Sequence, residues 1–173
     1  AHDKKQNGAP HGAPFRVSEP HASDQSSQCV TVSPALYTHT SPSLVTVPLS
    51  PFTVVCGGCV PQSGVPDTLD TLGDRSMFRN AYRRFADGHE ALVGNMTVDS
   101  NGVGGIRWYE INNATSGTPG FVQQSTYQPD STYRWMGSAA MDGNGNLALG
   151  FSASDATLHP QIRYAGRLAT DPP

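Results

Sequence analysis

Between Arg134 and Arg167 turn-forming residues cut the chain into three short apolar runs, which confines this stretch to short strands joined by tight connections. Asp142-Gly143-Asn144-Gly145-Asn146 separates the first run from the second, and the stretch from Ser154-Asp155 to Pro160 separates the second from the third. Gly and Asn reach the positive-φ positions that hairpins need, so the pattern predicts antiparallel strands near 136–141, 146–153 and 161–168. The unit is a β-meander. In its middle strand Leu147, Leu149 and Phe151 alternate with Ala148, Gly150 and Ser152, which gives one bulky face and one nearly bare face. The bare face is expected to receive a second sheet, because small side chains allow close approach.

The rest of the composition points the same way. The chain carries Gly 18 and Pro 14 with abundant Ser, Thr and Asn, which favours many strands and turns over long helices. Its 173 residues suffice for one ordinary domain with a core. Charged residues make up 14% and the formal net charge is −3, so no basic field argues for nucleic acid. No apolar run is long enough to span a bilayer, and Ala1 opens no signal-peptide pattern, as expected of a mature or excised segment. Two Asn-x-Thr triplets, Asn95-Met-Thr97 and Asn113-Ala-Thr115, are compatible with a glycosylated secreted protein.

In chain order, residues 1–42 read as a flexible or irregular N-terminal arm, of which 1–28 are polar and without periodicity. His2, His11 and His21 stand there at irregular spacing, a poor basis for a metal site. Two β-rich pieces, Cys29–Val32 and Leu44–Val47, lie among Pro34, Pro42, Pro48 and Pro51, which permit only edge strands or coil. From Met77 to Phe85 apolar residues recur at helical spacing, with Asp74 as N-cap and Gly88 as stop, so periodicity favours a helix. Beyond His89 strand signals become regular at Ala91–Val98, Gly105–Ile111 and Phe121–Tyr127. Residues 43–173 form the expected domain, with two blade-like repeats at about 90–128 and 134–168.

The cysteines are Cys29, Cys56 and Cys59. Haem attachment by Cys56-Gly-Gly-Cys59 is excluded because Val60 follows where His is required. Zinc lacks a second ligand pair, and the prolines around the pair make its surroundings loop-like, unlike the strand-to-helix junction of a redox motif. A local disulfide, or one linked to Cys29, is the expected outcome, and it suits an oxidising compartment.

The two units echo each other. Val98-Asp99-Ser-Asn101-Gly102 matches Met141-Asp142-Gly-Asn144-Gly145, and Ile106-Arg107-Trp108 matches Ile162-Arg163-Tyr164 at a different offset. A period of roughly 40–50 residues with several strands per repeat is characteristic of propeller blades. Cys59-Val-Pro-Gln62, Leu69–Arg75, Phe78-Arg79, Ala81-Tyr82-Arg83, Gly105-Ile-Arg-Trp-Tyr-Glu110 and Arg134-Trp-Met-Gly-Ser138 through Arg163-Tyr164 resemble the C-terminal part of large secreted bacterial proteins described as sialidase-like β-propellers. The loop Asp142–Asn146 followed by Leu-Ala-Leu-Gly also resembles the Asp-x-x-Gly-Asn hairpin of bacterial propeller repeats. It departs from the sialidase Asp-box, in which Gly stands two residues after Asp and an aromatic closes the turn. The resemblance covers roughly residues 43–173 and implies a strand, rather than a helix, near residues 77–85. Closure of a propeller needs at least about four blades. Two blade-like units therefore imply a piece of a longer protein, an oligomer, or a small β-sandwich.

Several residues are candidates for chemistry. Sialidases hold a substrate carboxylate with arginine forks, so the resemblance implies that Arg79, Arg107 and Arg163 converge, with Tyr109 and Glu110 as nucleophile and base; the alternative is that these arginines cap strands and stack on Trp108, Trp135 or Tyr164. Strand neighbours point to opposite faces, so Tyr109 and Glu110 cannot share a pocket without a bulge. Arg107, Trp108, Tyr109, Arg134, Trp135, Arg163 and Tyr164, with Tyr133, are the candidate stacking platform for a sugar or peptide. Asp142, Asn144 and Asn146 alternate as the first ligands of a calcium loop do, yet Ala153 stands where an EF-hand needs its bidentate Glu. The set is thus either an incomplete calcium site or a hairpin turn in which Asp142 accepts N–H bonds; no other cofactor is expected.

The sequence therefore predicts an all-β fold of antiparallel meanders, partly propeller-like or a small β-sandwich. The expected protein is secreted and binds an extracellular carbohydrate or protein partner, with no nucleic acid and no membrane span. A sialidase-like glycoside hydrolase and a homo-oligomer assembling through exposed sheet edges are the alternatives.

Overall fold

The computed structural model describes residues 29–32, 45–115 and 118–173, and among these it contains twelve strands and no helix. The N-terminal histidines fall outside the described residues. Cys29–Val32 (β1) and Val45–Pro48 (β2) pair antiparallel, so part of the predicted arm is a strand. Thr53–Val54 (β3) follows, then the hairpin Val60–Gln62 (β4) and Val65–Leu69 (β5). Ala81–Arg84 (β6), Glu90–Ser100 (β7), Val103–Asn112 (β8) and Gly120–Tyr127 (β9) join β3 in a five-stranded antiparallel sheet. Tyr133–Met141 (β10), Leu147–Asp155 (β11) and Leu158–Arg167 (β12) form the predicted C-terminal meander.

Strand β7 is covered on both faces, and this sets the architecture. Leu92, Met96 and Val98 pack on one side with Tyr109 and Ile111 of β8, beneath Val47 and Leu49. Ala91 and Val93 point to the other side and join Ile106 and Trp108 of β8 against Ala139, Leu147, Leu149 and Phe151 of the C-terminal meander. The domain is thus layered, with β7 and β8 in the central layer. Each fully buried aliphatic side chain in these clusters contributes about 1.5–3 kcal/mol.

The bulky face of β11 makes this contact, not the bare one. Ala148 is exposed, and no atom lies within 4 Å of a Cβ built on Gly150. Burying Leu147, Leu149 and Phe151 removes far more apolar surface from water than burying alanine, glycine and serine, so the bare row is left outside.

The segment at residues 77–85 is extended, with β6 at its end. Ala81, Tyr82, Arg83 and Arg84 pair with Val93, Leu92, Ala91 and Glu90, and Gly88 at φ 93° closes the hairpin turn instead of stopping a helix. Met77 is buried while Phe78 is 91% exposed, a separation that one helical stripe would not produce. Pairing with β7 satisfies this backbone and overrides the periodicity.

Of the two internal echoes, one is structural. Asp99–Gly102 and Asp142–Gly145 each link the first and second strands of a meander. Gly102 and Gly145 take φ 84° and 82°, and Asp99 and Asp142 accept N–H bonds from Gly102 and from Asn144. Ile106-Arg107-Trp108 lies on a central strand, whereas Ile162-Arg163-Tyr164 lies on the edge strand β12 with Ile162 and Tyr164 exposed.

The two meanders are keyed together by a β-bulge. Register shifts between Trp135 and Ser138 of β10, where Met136 takes φ 51°. A bulge leaves ladder groups unpaired. Buried Asn95 and Thr97 of β7 reach them: Met136 N–H donates to Thr97 Oγ1 at 3.3 Å, and the Asn95 amide bonds Gly137 O and Ala139 N–H, each at 3.3 Å. Gly137 is required there, since a Cβ would lie 2.3 Å from the Asn95 side-chain amide. The same burial keeps Asn95 from accepting a glycan in the folded domain, whereas Asn113 is exposed. Replacing Asn95 by Leu should destabilise the domain by about 2 kcal/mol, because buried backbone groups at the bulge lose their partners. Urea unfolding measures this, and a loss below about 0.5 kcal/mol would mean that the bulge does not depend on Asn95.

Candidate functional site

At one end of the seam between the two meanders an open cleft of about 570 Å³ is lined by residues from five segments. The β6–β7 turn supplies Phe85, Asp87 and His89. Phe85 N–H donates to His89 O at 2.9 Å, Asp87 Oδ1 accepts His89 N–H at 3.1 Å, and the Phe85 and His89 rings stack at 3.9 Å. Bonds from the His89 backbone and then its side chain hold the Asp87 carboxyl below the usual carboxylate range. The β10–β11 turn supplies Met141 and Gly143–Gly145, and Ala169 follows β12.

Glu110 and Gln123 form the floor. Ile106, Trp108 and Glu110 occupy alternate positions of β8 and face the C-terminal meander, so the apolar row ends in a carboxylate where the seam opens. Glu110 is 8% exposed. Its Oε2 accepts Gln123 Nε2 at 2.5 Å, and Gln123 Oε1 accepts Arg167 Nη1 at 2.7 Å. Arg167 in turn lies over the Trp108 ring at 5.3 Å and donates Nη2 to Asp171 O. With its oxygen held by Arg167, Gln123 must offer its N–H to Glu110.

The predicted platform is dispersed. Trp108 and Trp135 are buried, and Tyr133 bonds Gly102 O. Tyr109 is fully buried on the opposite face of β8, where its hydroxyl donates to Asn80 Oδ1 and burial pushes the phenol up to about 12. It packs where Gly94 leaves room, since a Cβ there would lie 2.5 Å from the hydroxyl. A bulge does occur at Glu110/Ile111 against β9, yet Tyr109 and Glu110 stay on opposite faces. Arg107 shares the face of Tyr109 and donates to Thr126 Oγ1 at 2.7 Å; partial burial lowers its pKa. Arg163 pairs across from Phe151 and bonds Gln161, and Arg79 is exposed before β6. The three arginines do not converge. Tyr164 is 88% exposed on the outer face of β12.

Arg134 is 3% exposed and belongs to the fold. It makes a two-pronged pair with Asp130 at 2.8 Å and lies over the Tyr127 and Phe151 rings.

The candidate calcium turn bonds itself. Asp142 Oδ1 accepts Asn144 and Asn146 N–H, Oδ2 accepts Asn146 Nδ2, and Asn146 Oδ1 accepts Ala169 N–H. These bonds lower the Asp142 pKa, with the Asn146 side chain contributing most. The arrangement matches the hairpin-turn alternative, and among the described residues no three His, Cys, Asp or Glu side chains cluster as metal ligands. Cys56 and Cys59 form the expected local disulfide; the Cys29 side chain lies outside the described residues.

Of the cleft residues, Glu110 and Asn144 stood out in the sequence. Phe85, His89 and Gln123 did not, because five distant segments bring the lining together. The available signal was the carboxylate that ends the row Ile106, Trp108, Glu110. No family model, curated protein or solved structure matches the chain.

Asp130 carries a pH prediction. The Arg134 guanidinium and then the Thr132 N–H hold its carboxyl well below the usual carboxylate range. Its contribution is therefore complete above the unfolded-state value of about 4 and fades as pH falls further. Asp130→Asn should cost about 1–2 kcal/mol at neutral pH, discounted because the Asp130 side chain is 52% exposed, and should flatten the acid side of the stability profile. Thermal unfolding across pH measures both, and an unchanged acid limb would remove Asp130 from the account.

Proposed function

We propose that this chain is a secreted binding protein that takes an extracellular carbohydrate in the cleft between its two meanders. The observation that carries the reading is the buried Glu110 carboxylate, whose Oε1 has no hydrogen bond among the described residues and borders the cleft. A carboxylate oxygen of this kind accepts from sugar hydroxyls, and the adjoining apolar surface of Phe85, Met141 and Ala169 suits the C–H face of a pyranose ring. The Cys56–Cys59 disulfide supports an oxidising compartment, and no helix among the described residues is long and apolar enough to cross a membrane.

The sialidase-like alternative draws less support. An anionic sugar calls for arginines, and among the described residues no Arg or Lys lines the cleft. Its lining instead combines acceptors with an apolar wall, which suits binding.

Titration of isotope-labelled protein with a panel of oligosaccharides tests the reading by NMR. Binding should shift the amides of Phe85, Gln123 and Asn144 and leave Ile162 and Tyr164 unmoved. No saturable shifts for any sugar, or shifts centred on β12, would sink it.

A further inference from the structure

We infer that the cleft selects a carbohydrate bearing a free, protonated amine, a hexosamine unit whose ammonium bonds Glu110. This rests on reading the cleft as a carbohydrate site, and it adds which sugar chemistry the site prefers.

Arg167 occupies the Gln123 amide oxygen, so the amide must donate to Glu110, and it does so on Oε2. What remains open is Oε1, on a residue that is 8% exposed. A buried carboxylate with one neutral donor is poorly compensated, and a cationic donor compensates it far better than a hydroxyl.

The lining side chains point the same way, the neighbouring Arg83 being turned onto Met141 O at 2.9 Å. Among the described residues the lining holds two carboxylates, Asp87 and Glu110, and neither Lys nor Arg. Among the same residues His89 is its one basic side chain, and Nδ1 of that ring faces Asp87 Oδ1. The nearby Arg167 guanidinium is turned onto Gln123, the Trp108 ring and Asp171 O. A cationic group entering here meets the open Glu110 carboxylate, whereas Asp87 already faces the His89 ring.

The adjoining stacked pair of Phe85 and His89 presents ring surface that a sugar covers with its C–H face. N-acetylation of the same sugar would remove the charge and leave Glu110 without a cationic partner, so the acetylated form is the discriminating control.

Isothermal titration of the full chain at about pH 5.5, where the sugar amine is protonated, makes the test. The probes are glucosamine oligomers, their N-acetylated counterparts, neutral glucose oligomers and a lysine-rich peptide. The glucosamine oligomer should bind at least about tenfold more tightly than the acetylated or neutral forms, as a charge-assisted bond to a buried group requires. Glu110→Gln should abolish that preference, and added salt should weaken the binding of the amine more than that of the neutral sugar. Asp87→Asn, on an exposed turn, should lower the preference about twofold to threefold and serves if the Glu110 variant fails to fold.

Equal binding of all three sugars would overturn the inference and leave the carbohydrate reading standing. Binding of the lysine peptide with no binding of glucosamine would overturn the sugar as the source of the amine. No saccharide binding at all would remove the carbohydrate reading and this inference together.

Discussion

The fold depends on how two buried polar side chains of β7 meet a break in β10. A strand with both faces covered ordinarily carries only apolar residues, and β7 departs from that at Asn95 and Thr97. Their bonds to the backbone around Met136–Ala139 fix the position of the C-terminal meander along the central sheet, because apolar contacts alone would permit sliding. Everything at the seam inherits that position, including which residues stand opposite Ile106 and Trp108.

The cleft is what remains where the seam runs out of apolar partners. Leu147, Leu149 and Phe151 cover the Ile106–Trp108 row, and beyond it β8 presents Glu110. Glu110 is tolerated because Gln123 meets one oxygen and Arg167 fixes Gln123, while the other oxygen borders the opening. The segment after β12 closes the arrangement: Ala169 bonds Asn146 and Arg167 reaches Asp171, which ties the end of the meander to its first turn. The Asp142–Asn146 turn thus helps to build the wall of the cleft.

How much was legible follows the range of the interactions involved. The strands of both meanders and the hairpins at Asp99–Gly102 and Asp142–Gly145 were readable, since turn residues and alternation act over a few neighbours. The segment at residues 77–85 was misread by periodicity because its partner, β7, supplies the backbone bonds that a helix would otherwise make internally. The aromatic residues were readable as a group but not as a site. Trp108 and Tyr109 are adjacent in sequence and enter different cores, and Tyr164 matches Trp108 in the echo yet lies on an exposed edge strand.

The sequence by itself determined an all-β chain of antiparallel meanders, their turns and the separation of Tyr109 from Glu110, because each follows from bond geometry within a short stretch. Alternation makes two faces but does not say what will cover either. Only the tertiary structure decided that the bulky face of β11 turns inward, that Asn95 and Thr97 satisfy a bulge instead of facing water, and that Phe85, Glu110, Gln123, Asn144 and Ala169 border one opening. Those outcomes depend on which sheet packs against which, and that choice is made by total buried area and polar pairing across segments far apart in the chain.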